Sequence, residues 1–444
     1  PVSGHAEEDK VHGCPALDRQ LRWDEPEHLR GPILSPLRLA EPTRALAPHT
    51  SETERKGQPG LVYRRYRTTR TLLQEAYAIL TRDVRTVRDA TPAEEWLLDN
   101  AHIIEDQLRE VAVDLPRGYL TKLPRIAHGA MRGVPRVYAL CLDYLRHNDA
   151  RVEPDTLIAH ISAYQSVHAL SIGELWAVPI MLRIGLLMMV SRVAHQQAMD
   201  RSVTEADALA AELAKASDPL PLLEPLARHA LTPSFLVELK RKALEAEHDN
   251  GALLAWLSKV AKEQGTSAEE LSRLHHLRRA EDQLTVGNAI TSMRAISAYD
   301  WSRFFASTSL VESILVEDPG ESYALSDPLT RDRMRHVVER IARKNRLDER
   351  VVARAAIRLA EAAQGQGGAA AHVGYYLVDA GRPALERALS ASPPLGDRLL
   401  RWAERFGASV YLVPLCLGTA FFLWLAHGFL REQGVPTGLI VGLL

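Results

Sequence analysis

An all-α body followed by a membrane-spanning helix is the fold class this sequence predicts, and three observations carry it. Apolar residues recur at alternating steps of three and four through long stretches, which is the period of one helix face. Helix starts are marked chemically at Thr91, with Pro92 and Glu94 behind it, and at Ser171, with Glu174 three residues on. In both, a hydroxyl can accept a first-turn N–H while the glutamate reaches back to the cap. No alternating strand pattern of useful length occurs, and Val410 to Leu430 is an apolar run without formal charge.

Taken in order, residues 1–66 carry prolines and charges with few periodic apolar positions and read as a poorly ordered tail. His5, Glu7, Glu8, His12 and Cys14 lie in it, but their spacing matches no metal site. A helix is expected from Thr69 to about Val87, joined through Ala90 to a second. That second helix is the clearest: Leu97, Ala101, Ile104, Leu108, Val111 and Leu115 form one stripe from Thr91 until Pro116 and Gly118 end it. The segment from Leu115 to Pro135 is rich in Pro and Gly yet holds the apolar anchors Tyr119, Leu120, Leu123 and Ile126. It reads as an ordered loop laid over helix ends, or as an interdomain surface.

Short helices are expected at Val137–Arg146 and Glu153–Val167. The helix after Ser171 contains LWAVPIMLRIGLLMMV, interrupted by Pro179 and by Arg183 at its middle. A span needs about 20 residues without a central charge, so this run reads as a helix buried on most sides. Both capped helices share a pattern of Ser or Thr, then Glu, then Trp two residues later, which fits either an internal repeat or two common caps. Amphipathic helices are expected at 204–216, 232–247 and 251–264, and one or two over 268–297 with a break near Gly287. Asp300 caps another running to Leu315, and 330–344 with 348–363 make a hairpin capped by Asp348. The domain plan is therefore one all-α body over 67–389, a juxtamembrane segment 390–407, a transmembrane helix 408–431, and a second apolar segment starting at 435–444. An apolar segment that has only begun leads us to expect that the sequence is part of something longer.

Charged residues are 25% of the 444 and the formal net charge is −2. Nucleic acid is not an expected partner, since that would call for a clustered basic face. The three cysteines, Cys14, Cys141 and Cys416, lie far apart with no CxxC spacing, so reduced cytoplasmic thiols are expected. Searches for phosphate-cradling, dinucleotide, zinc-protease and serine-hydrolase motifs find none, and no D-x-D pair for a sugar-nucleotide metal occurs. Arg401-Trp402 matches the end of a Q-x-x-R-W motif, but position 398 is Arg, and a juxtamembrane anchor explains it better. Glu94, Glu95, Asp99, Glu105 and Asp106 offer carboxylates for glycoside chemistry, though most serve caps and the solvent side of their helix. No catalytic, cofactor-binding or metal residue is assigned.

What remains is a candidate docking or packing cluster: Trp96, Asp99, Asn100, Arg117, Tyr119, Glu174 and Trp176. Arg117, a planar five-donor group, is placed to bridge Asp99 or several loop carbonyls and pin the loop after Leu115. Trp96, Tyr119 and Trp176 are either core residues or stacking platforms for sugar, and exposure decides between the two.

Six ordered blocks then supply a family. EEWLLDNAHIIEDQLRE, DLPRGYLTKLPRIA, GVPRVYAL, SAYQSVHALSIGELWAVPIMLRIGLL, DRMRHVVERIAR and AHVGYYLVDAG resemble the N-terminal region of the cyclic β-1,2-glucan synthases, over roughly residues 70 to 385. That family consists of large multidomain proteins of the bacterial inner membrane. The resemblance implies a glycosyltransferase domain beyond the first spans that polymerises glucose from UDP-glucose with a divalent metal. It further implies membrane lipid, that downstream transferase domain and β-glucan as partners. The first 65 residues match nothing, and no residue of this chain matches a catalytic motif of the family. The resemblance therefore implies a non-catalytic scaffold or regulatory region with its body in the cytoplasm, or alternatively a helical carbohydrate-binding or carbohydrate-processing domain. Arg398, Arg401 and Arg405 before the apolar run, against Arg431 after it, give the same orientation by the positive-inside rule.

Overall fold

The computed structural model describes residues 30–51, 53–54, 60–82, 91–115, 120–129, 131–201, 237, 239–240, 251–263, 267–366, 368–392 and 407–434. Seventeen α-helices lie among them, with one ladder of two two-residue strands, so the all-α expectation holds. The chain divides into two compact units, Pro1–Leu310 and Val311–Leu444, where the sequence predicts a single body over 67–389.

The first unit is built on α7 (Ile172–Arg201), the helix expected after Ser171. Its apolar residues face in every direction, so it is stable only with neighbours on all sides. Around it pack α2 (Leu61–Arg82), α4 (Ala101–Asp114), α5 (Arg136–His147) and α9 (Ala268–Ala298). About 83% of its most apolar window is buried, which bears out the reading of a core helix over a span. Close approach is set at Gly185, where a Cβ would stand 2.6 Å from Leu145 Cδ1 and 3.0 Å from Leu142 Cδ2. Arg183 escapes the apolar surroundings sideways: its Nε donates to Gln107 Oε1 at 3.0 Å and its Nη2 pairs with Glu110 at 2.9 Å, both on α4.

The expected tail is corrected from residue 36 onward. α1 (Pro36–Ser51) buries Leu39, Thr43, Leu46, Ala47 and Thr50 on one face against α6 (Pro154–Gln165). Pro42 and Pro48 within it, and two threonines in the buried stripe, hide the helical period from a purely apolar count. Those threonines bond across the interface, Thr50 Oγ1 lying 2.6 Å from Tyr164 Oη and Thr43 Oγ1 2.9 Å from His160 Nδ1. β1 (Thr53–Glu54) pairs antiparallel with β2 (Arg125–Ile126), tying the following chain to the loop after α4.

A second correction concerns the helix from Thr91. The capping box is present, Glu94 N donating to Thr91 Oγ1 and Thr91 N to Glu94 Oε2. The helix is not continuous, however. Asn100 adopts φ −109°, ψ 18° and divides α3 (Pro92–Asp99) from α4. Its side-chain Nδ2 donates to Trp96 O at 2.9 Å, the local competition with the backbone that makes Asn a helix breaker. The stripe survives the break, with Leu97, Ile104, Val111 and Leu115 all buried. Conversely, α9 runs unbroken through Gly287, and the helix expected from Asp300 to Leu315 divides at Ser309 into α10 (Trp301–Thr308) and α11 (Leu310–Leu315). α8 (Gly251–Glu263) falls where expected, whereas the helices expected at 204–216 and 232–247 lie almost wholly outside the described residues.

The second unit contains α12 (Ser322–Leu325), the hairpin α13 (Pro328–Asn345) and α14 (Glu349–Ala363), then α15 (Val373–Val378) and α16 (Arg382–Ala388). Asp348 caps α14 as expected, accepting from Arg350 N. The unit's centre is polar. Buried Glu312 accepts from Tyr323 Oη at 2.5 Å and lies 3.6 Å from both Arg331 and Arg335. Asp318 accepts from the backbone N–H of Tyr323 and of Val373. α17 (Ala408–Glu432) contains the expected transmembrane run. Its Tyr411–Glu432 stretch is long and apolar enough to cross a membrane and none of it is buried.

His160 gives the fold a pH dependence. The ring is fully buried, its Nε2 3.2 Å from the Leu140 carbonyl and 5.3 Å separating it from the Tyr144 ring. Burial lowers its pKa from 6.5 to about 4, against the opposing pull of the Leu140 carbonyl, with His147 adding to the lowering. The folded state thus binds fewer protons than the unfolded state between these values. Its contribution is complete above pH 6.5 and is lost as pH falls towards 4, on the order of 3 kcal/mol in total. Urea unfolding at pH 7, 6, 5 and 4.5 is expected to show this decline, and His160→Gln to flatten it.

Candidate functional site

The five candidate residues that the structure describes lie in two places rather than in one cluster. Glu174 and Trp176 belong to the start of α7. Trp96, Asp99 and Asn100 lie at the α3–α4 junction, facing α9 where they make contacts. Arg117 and Tyr119 lie outside the described residues, and with them the proposed bridge to Asp99. Asn100 already has other partners: besides its bond to Trp96 O, its Oδ1 accepts from Arg294 Nη2 at 2.7 Å. Asp99 is exposed.

Glu174 is fully buried and does two jobs. It completes the second capping box, accepting from Ser171 N at 2.9 Å while its own N–H donates to Ser171 Oγ at 3.3 Å. Its two oxygens also receive Arg136 Nε at 2.6 Å and Nη2 at 2.7 Å, a fork-to-fork pair. Nη2 reaches Ala169 O at 2.9 Å as well. Burial works against the charge of Arg136, but the bonds and field of Glu174 outweigh it and hold the guanidinium pKa above its ordinary value. Sequence reasoning missed Arg136. A signal was there: Arg136 is the first residue of α5, where a cation opposes the helix dipole and so calls for an anionic partner.

The two tryptophans answer the exposure question differently. Trp176 is half-buried and stacks on Phe305 of α10, centroids 4.9 Å apart and planes at 17°, so it is a packing residue. Trp96 is 40% exposed. It stands at the edge of a cleft of about 530 Å³ between α3, the segment Arg151–Glu153 and one face of α9. Gly287 lies beside the ring, where a Cβ would come 4.0 Å from Trp96 Cε2. Among the described residues no group of three or more His, Cys, Asp or Glu is placed to hold a metal ion.

Fold and site together describe an all-α protein with one apolar helix sealed in its first unit and another standing bare in its second. No family model matches the chain. The chain is similar to the cyclic beta-(1,2)-glucan synthase NdvB of Rhizobium meliloti (strain 1021), 29% identical over 383 residues. The match covers 84% of this chain and 13% of that protein, so the chain spans about an eighth of the relative's length. The similarity bears out the resemblance read from the six sequence blocks.

Arg136→Met alone strands a buried carboxylate and is expected to destabilise the first unit by roughly 3–5 kcal/mol. The double variant Arg136→Met, Glu174→Leu is expected to recover much of that loss in chemical denaturation, which separates the stranded charge from the worth of the pair. Trp176→Ala is expected to lower stability by about 3 kcal/mol, since it removes the stacked partner of Phe305. An unchanged denaturation midpoint would return that ring to the list of binding residues.

Proposed function

We propose that this chain is a non-catalytic, membrane-anchored helical scaffold in glucan synthesis. The observation that carries this reading is the similarity to a cyclic beta-(1,2)-glucan synthase over 84% of the chain. Its chemistry agrees with a supporting role. The buried charges found here, Arg136 with Glu174 and Glu312 with Arg331 and Arg335, are spent on each other. The sequence carries no D-x-D pair for a metal-bound sugar nucleotide. Use of UDP-glucose with a divalent metal then belongs to a separate transferase domain, which is the proposed protein partner.

α17 supplies the anchor. Its 25 residues rise about 37 Å, more than the roughly 30 Å of a hydrocarbon core. Phe421, Phe422, Trp424 and Phe429 are exposed along it. Lipid is the surface that makes such exposure favourable. The membrane is taken as a bacterial inner membrane from the similarity to the glucan synthase, and the arginines at 398, 401 and 405, against Arg431 on the far side, favour the body in the cytoplasm.

The purified chain, supplied with UDP-glucose and Mg²⁺ or Mn²⁺, is expected to release no UDP above the protein-free rate. Sustained release would overturn the non-catalytic reading. In membranes it is expected to resist alkaline carbonate extraction, and deletion of 408–432 to release it. Loss of the full-length chain to the carbonate wash would remove α17 as an anchor.

A further inference from the structure

The cleft beside Trp96 has the makings of a site in its own right. Its volume of about 530 Å³ lies within the roughly 300–1,000 Å³ of ordinary small-ligand sites. A tryptophan left 40% exposed at its edge forgoes the burial that so large a ring normally finds. The ring's backbone is held from behind, Trp96 O accepting from Asn100, which in turn is held by Arg294. Gly287 lines the cleft beside the ring. A partly exposed aromatic ring beside a cleft suits a ligand with a flat, weakly polar C–H face, which meets the negative face of the ring.

The polar groups narrow the ligand class. Arg151 and Glu153 line the cleft together and pair at 2.9 Å, both more than half exposed, so their charges balance and the site favours a neutral guest. Such a pair offers donors and acceptors side by side, as vicinal hydroxyls require. Asn288 commits its amide nitrogen to Asp149, at 3.1 Å to the carbonyl and 3.3 Å to Oδ2, which leaves its carbonyl oxygen for a hydroxyl donor. Thr291 donates to Gly287 O at 2.8 Å and so meets a ligand as an acceptor.

We propose that this cleft binds a short neutral hexose oligosaccharide, one pyranose stacked on Trp96 and its hydroxyls bonded to Arg151, Glu153 and Asn288. That the hexose is a β-linked glucan segment rests on the function proposed above; the preference for a neutral pyranose does not. The cleft then holds product or acceptor chain against the scaffold and takes no part in bond making.

The test is titration of the full chain in detergent with linear β-1,2-glucooligosaccharides and with cellohexaose, followed by calorimetry and saturation-transfer NMR. Binding is expected, weakened about tenfold or more by Trp96→Ala and less by Trp96→Phe, which keeps a ring. Ala295→Trp, which fills the cleft from its α9 side, is expected to abolish it, while Trp176→Ala leaves it intact. Absence of saccharide binding at millimolar concentration overturns the proposal, as does unchanged affinity in both Trp96→Ala and Ala295→Trp. Tighter binding of UDP or of a phosphorylated sugar overturns the neutral class. None of these results bears on the scaffold reading, which falls on UDP-glucose turnover and leaves the cleft untouched.

Discussion

Burying α7 is the constraint on which the first unit depends. A helix apolar on every side has no solvent face, so every neighbour must be an apolar surface or a matched polar partner. α2, α4, α5 and α9 provide the surfaces. Two charges that α7 carries inward, Glu174 and Arg183, are met individually, Glu174 by Arg136 and Arg183 by Gln107 and Glu110. These polar contacts also fix alignment. Apolar surfaces tolerate sliding, whereas a bidentate pair between α7 and α5 admits one rotation and one height for the two helices. The close approach at Gly185 enforces the same alignment sterically.

The second unit handles polarity in the opposite manner. It gathers Glu312, Tyr323, Arg331, Arg335 and Asp318 near its centre and lets them satisfy one another and two backbone N–H groups. Burial raises the pKa of the Tyr323 hydroxyl, and its bond to Glu312 raises it further, so it stays a proton donor to that carboxylate. Short helices such as α12 and α15 bury little apolar area, and here they are pinned by hydrogen bonds that their backbone N–H groups donate to Asp318.

How much of this was legible in the sequence follows from the range of each interaction. The capping boxes at Thr91 and Ser171 were legible because cap and responder are three residues apart. α7 was legible as a core helix because Arg183 ruled out a simple span. α1 was not, since its buried face mixes threonine and alanine with leucine and contains prolines, a pattern that only the partner helix α6 makes sense of. The break at Asn100 was hidden because the stripe continues across it. The Arg136–Glu174 pair spans 38 residues, beyond any local pattern. Of the candidate cluster, Trp96 and Trp176 looked equivalent in sequence, and only Phe305, which covers one and not the other, tells them apart.

The bare helix α17 has a consequence for how the chain is made. The sequence places at least 400 residues before it, and at roughly 5–20 residues per second these take tens of seconds to synthesise. Helical domains generally fold far faster than that. The units ahead of α17 therefore have time to become compact before the apolar segment leaves the ribosome, and a compact body is a poor cargo for a translocation channel. Under the proposed anchoring, a body that is compact before α17 emerges stays on the side of synthesis, in agreement with the proposed orientation. For the proposed anchor, the interval between emergence of α17 and its capture by lipid leaves Phe421, Phe422 and Trp424 with no partner but water or one another.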